Sequence, residues 1–168
     1  MMTRVWYPQL DIYHAIRRVA ALLYFWEKST APLERLYISD FYFANPPLLH
    51  SVHMPADVRA TFKDLEIQKP EKSFLTYPTP SILFHKMESI QKKAVQAMAA
   101  RNLLSSDALH EGNASLSCSG EEFAESRVVG GLSERDIKVI EFLARSFSQI
   151  SEGDSVDLRK RTGLRRMV

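Results

Sequence analysis

Between Asp11 and Lys28, apolar side chains fall at Ile12, Ala15, Ile16, Val19, Leu22, Leu23 and Trp26. Steps of three and four put them on one broad stripe of an α-helix, and a stripe this wide belongs at the centre of a core. Asp11 is placed to cap the start, Lys28 to complement the dipole at the end, and Arg17 and Arg18 fall on the polar side. The apolar run Val19–Trp26 is flanked by charges and is far shorter than the roughly 20 residues that span a bilayer. The opening residues lack an apolar signal region, and Pro8 interrupts them. The expectation is a cytoplasmic chain with no membrane partner.

The rest of the chain is punctuated in the same language. Ser29-Thr30-Ala31-Pro32 reads as a cap with an early proline, followed by a helix from Leu33 to Ala44 that Asn45-Pro46-Pro47 ends. Between Leu48 and Pro80 the prolines divide the chain, and Val58–Ile67 suits one short helix. From Ser81, the residues Leu83, Met87, Ile90, Ala94, Ala97 and Met98 share a face up to Arg101, with a break expected near Glu88. Apolar–polar alternation on either side of Gly112-Asn113 is a β-hairpin signal extending to Cys118. Further helices are expected from Glu121 to Arg127, after the capping Ser133, and from Val156 to Thr162, the last closed by Gly163.

The predicted fold is therefore mainly α with a small β-hairpin. A helix followed by such a hairpin fits a winged helix-turn-helix core with C-terminal helices added. The alternative is a plain helical domain with an incidental hairpin. The boundaries expected are 1–118 for the helical or winged-helix domain and 119–168 for a helical extension packed on it.

At 168 residues and 45% apolar, the chain can bury a sizeable core without cross-links. Its lone Cys118 allows no internal disulfide, and Ser117, Ser119 and Gly120 supply no charge that would activate it. A net charge of +2 is too balanced to announce nucleic acid by itself. The charge is segregated, however. Asp107, Glu111, Glu121, Glu122 and Glu125 lie in a stretch without Lys or Arg, whereas Arg159, Lys160, Arg161, Arg165 and Arg166 crowd the C-terminal end.

Catalytic signatures are missing from the sequence. No glycine precedes a lysine, so there is no phosphate-cradling ATPase loop, and neither G-x-G-x-x-G nor G-x-S-x-G occurs. His50 and His53 are spaced for one helix face, but no cysteine pair or neighbouring acid completes a zinc site. Asp136-Ile137-Lys138 echoes a nuclease motif without its upstream acid. No catalytic, cofactor-binding or metal residue is expected, and no enzyme.

Three blocks say more than periodicity does. They are Leu10-Asp11-Ile12-Tyr13-His14-Ala15-Ile16-Arg17-Arg18, the run Leu33-Glu34-Arg35-Leu36-Tyr37-Ile38-Ser39-Asp40-Phe41-Tyr42-Phe43-Ala44-Asn45-Pro46, and Leu83-Phe84-His85-Lys86-Met87-Glu88-Ser89-Ile90-Gln91 closed by Leu103-Leu104. In this order, over residues 7 to 105, they resemble the middle component of bacterial ABC-three-component defence systems, among them the Lamassu anti-phage and anti-plasmid systems. The resemblance implies a non-catalytic adaptor subunit. It would bind an SMC-like ABC ATPase and an effector, often a nuclease, and help hold the effector silent until foreign DNA is sensed.

Two functions from different classes stand against each other. For the adaptor, Tyr37, Phe41 and Tyr42 are candidate partner-binding aromatics, with core packing as the alternative. The basic groups Lys86, Lys92, Lys93, Arg101, Arg159, Lys160, Arg161, Arg165 and Arg166 are candidates for contact with DNA, through the complex, or with an acidic partner. The other function is a winged-helix transcription regulator, with Lys86, Lys92, Lys93 and Arg101 on or beside its recognition helix.

Overall fold

A computed structural model describes residues 7–70 and 79–164. The first helix, α1 (Ile12–Phe25), starts where the sequence places it, because the Asp11 carboxylate accepts from the backbone N–H of Tyr13 at 2.9 Å and of His14 at 3.1 Å. It stops short of Lys28, at Trp26. Ala15, Ala20 and Ala21 have no exposed surface, and these small side chains let neighbouring helices close on α1 from several directions. Those neighbours are α2 (Leu33–Ala44), α4 (Pro80–Ala100), α6 (Cys118–Arg127) and α7 (Glu134–Glu141).

The segment before α2 departs from expectation. No side chain caps that helix. Instead Ala31–Pro32 form a short strand, β1, paired antiparallel with β2 (Asn113–Ala114), Ala31 opposite Ala114. The Leu33 N–H continues the ladder to the Gly112 carbonyl at 3.1 Å. The α2 end matches the Asn-Pro-Pro signal, and the Asn45 amide folds back onto the Phe41 carbonyl at 3.0 Å. A 3-10 turn over Pro46–Ser51 leads to α3 (Ala56–Lys63). The break expected near Glu88 is absent, and α4 runs unbroken through it, since both halves bury the same inward face.

The expected hairpin is replaced by something else. Residues Ser106–His110 form a short helix, α5, capped by Ser105, and β2 finds its partner far back in the chain. Leu104 bridges Leu116, with the Ser105 N–H donating to the Ser115 carbonyl and the Ser117 N–H to the Leu103 carbonyl, both at 3.0 Å. The alternating apolar positions thus close a loop around α5 and make no wing. Among the described residues the fold is mainly helical, with one two-stranded antiparallel sheet.

At the start of α6 the packing admits only glycine. A Cβ on the buried Gly120 would lie 2.0 Å from the Leu103 carbonyl oxygen. Farther on, α7 is capped by Ser133 and widens into a π turn over Phe142–Ser146 and a 3-10 turn over Phe147–Gln149. The last helix, α8 (Ser155–Thr162), is capped by Asp154 and, as its sequence predicts, ends on Gly163 at φ +71°.

One cluster of buried side chains extends from Val19 to Leu164 and draws on residues before and after Cys118. Aromatic rings run through it at ordinary spacings, edge-on or tilted. Phe41 meets Phe84 at 5.5 Å, Tyr42 meets Phe147 at 5.6 Å, and Phe62 meets Phe142 at 5.8 Å.

Candidate functional site

The aromatic helix turns inward. Tyr37 is 9% exposed, Tyr42 2% and Phe41 0%. This burial fits the core packing held as the alternative to partner anchoring: α1 and α4 pack on α2, and the π segment adds a further contact. The Tyr42 hydroxyl donates to the Thr162 carbonyl at 3.5 Å, and burial holds its phenol well above the ordinary range. Burial, with the nearby Glu88 charge, also raises that of Tyr37.

Sequence reasoning missed the buried charges on the same helix. Asp40 is fully buried and accepts from Arg18 Nε at 2.6 Å, Arg18 Nη2 at 3.2 Å and Gln91 Nε2 at 2.8 Å. Gln91 Nε2 also donates to the Tyr37 carbonyl at 2.9 Å. One carboxylate therefore joins α1, α2 and α4. Arg35 donates to the carbonyls of Ser148 at 3.0 Å, Ile150 at 2.5 Å and Ser151 at 2.7 Å. These are the carbonyls left at the end of the helical run that starts with α7. Burial lowers the Arg35 pKa, and the charges of Glu152 and Glu34 oppose that shift. The available signal was the charge itself: Arg35 and Asp40 stand among the apolar and aromatic residues of α2.

The basic candidates divide sharply. On α4, Lys86 and Lys93 are exposed, as is Arg101 just beyond the helix. Lys92 is also exposed but pairs with Glu88 at 3.1 Å. On α8, Arg159 pairs with Glu34 of α2 and donates to the Leu164 carbonyl at 3.2 Å. Arg161 pairs with Asp157 at 2.7 Å and reaches the His53 carbonyl at 3.4 Å. Arg159 and Arg161 therefore fasten the last helix to the body, and of the three only Lys160 is exposed. Arg165 and Arg166 lie outside the described residues.

Other polar groups have local partners. The His50 ring sits edge-on to Phe62 at 4.9 Å, with Nε2 2.6 Å from the Ile67 carbonyl oxygen. Among the described residues no three His, Cys, Asp or Glu side chains are grouped to hold a metal ion. No helix there is long and apolar enough to cross a membrane.

Among the described residues the geometry is that of a mainly helical body with Lys86 and Lys93 exposed on α4. The chain matches the family described as ABC-three component (ABC-3C) system Middle Component 5 over residues 4–167, and it belongs to that family. Membership implies other subunits. No curated protein and no solved structure matches it.

Proposed function

We propose that the chain is a non-catalytic adaptor in an anti-phage and anti-plasmid defence complex of the Lamassu type. It bridges an SMC-like ABC ATPase and an effector, a nuclease, and helps to keep the effector inactive until foreign DNA is sensed. The observation that carries this reading is the family match across nearly the whole chain, which makes the protein one part of a three-part system. Two further features support it. The ion pair of Arg18 with the buried Asp40 and the Arg35 contacts make a stiff body suited to holding two partners in a fixed relation. Of the basic candidates, Lys86 and Lys93 stand exposed on α4, where a second macromolecule can meet them.

Co-expression with the other two subunits of its system tests the proposal. The three should elute as one assembly, omission of this chain should leave the other two separated, and the effector should cleave DNA without restraint when this chain alone is withheld. Binding of the purified chain, as a dimer, to one palindromic DNA site would instead support a winged-helix regulator and sink the adaptor.

A further inference from the structure

Among the described residues α4 is the longest helix, and it leaves one side bare. Its 21 residues extend about 30 Å at 1.5 Å per residue. Phe84, Met87, Gln91, Ala94, Val95 and Met98 point inward. Outward, Ile82, Lys86, Ser89, Lys93 and Gln96 follow one another at steps of four and three, the spacing along which a second helix makes continuous contact. Beside its first half lies the short 3-10 turn Pro8–Leu10, and a groove of about 580 Å³ opens there between Leu10 and Ile90.

The chemistry of this groove is two-fold. Leu10, 36% exposed, and Ile90 give it an aliphatic floor, and Ser89 is small enough to admit a close approach. Lys86 and Lys92 stand on its rim, with Lys93 on the adjoining turn of α4. The one acid between Pro80 and Arg101 is Glu88, and Lys92 already takes its charge. A duplex backbone would use the lysines but has nothing to place against Leu10 and Ile90. An amphipathic protein segment uses both, with apolar side chains at the centre and carboxylates at the rim.

We propose that the groove between Leu10 and α4 is the docking site for an acidic amphipathic helix of another subunit of the system. That helix lies along α4, its apolar side chains seated between Leu10 and Ile90 and its carboxylates against Lys86 and Lys93. This rests on the adaptor reading above and says which surface the adaptor uses.

The test co-expresses full-length Lys86→Glu/Lys93→Glu and Leu10→Asp variants with the other two subunits and measures the affinity of this chain for them. Each variant should weaken association by about tenfold or more, while the lysine pair, both exposed, should leave the melting temperature of the isolated chain unchanged. Wild-type association should weaken as salt is raised. If Leu10→Asp unfolds the chain, the lysine pair decides alone. Unimpaired assembly of the lysine variant overturns the proposal. So does a loss of duplex DNA binding with assembly intact, which would make this face a nucleic-acid surface. Failure of the wild-type chain to join either subunit would remove the adaptor reading itself, an outcome distinct from intact assembly that ignores the groove.

Discussion

Helices α2 and α4 carry similar apolar patterns and lead opposite lives. α2 buries eight of its twelve residues, including Arg35, Ser39 and Asp40. α4 buries a single face and leaves its lysines in water. The difference lies in what surrounds each: α2 has neighbours on several sides and α4 on one. Density of aromatic residues thus marks the inside of this molecule, while Lys86 and Lys93 stand exposed on a helix with few of them.

The largest break in that comparison should come from Phe41→Ala. Phe41 is fully buried between Tyr42 and Phe84, and its removal should lower the unfolding free energy by about 3–5 kcal/mol in chemical denaturation. A loss below about 1 kcal/mol would mean that α2 is less enclosed than described. Gly120→Ala should rank next, at about 1–3 kcal/mol, because the Leu103 carbonyl must move to admit the methyl group.

Lys86→Ala with Lys93→Ala should change stability by no more than about 0.5 kcal/mol, since both side chains are exposed. A larger drop would give α4 a structural use for its lysines and erase the contrast with α2. The smallest effect should appear in acid. The hydrogen bond from Arg161, then that from Ser151, lowers the Asp157 pKa, and Lys28 does the same for Glu152. Carboxylates depressed in the folded state add stability above their unfolded pKa and lose it as pH falls through the folded one. The melting temperature should therefore decline below the ordinary carboxylate range, less steeply in Asp157→Asn and in high salt, because both groups are exposed.

Much of this was readable from residue spacing. The Asp11 and Ser133 caps, the Asn45-Pro46 stop and the Gly163 terminus are local signals, and each sits where local chemistry puts it. The errors share one cause. The alternation around Gly112 looked like a hairpin, but its strand is satisfied by Ala31–Pro32, a partner that no local pattern can name. Likewise nothing near Arg159 or Arg161 in sequence reveals Glu34 or His53, so a C-terminal basic run looked freer than it is. The candidate groove was invisible for the same reason, because Leu10 and Ile90 come to line one groove only after folding.

The reach of Arg35 has a consequence for how the protein is made. Its carbonyl partners begin 113 residues later in the chain, at Ser148, and β1 likewise waits for β2. Phe142 and Phe147, which fill the core beside Phe62 and Tyr42, come from the same late stretch. A nascent chain that has emerged only as far as α4 therefore holds its central helix half uncovered, for some seconds at about 5–20 residues per second. During that interval its apolar stripe is open to chaperones and to other nascent chains. Residues 119–164 close the core as well as extend it, and a chain cut after Cys118 should collect in the insoluble fraction.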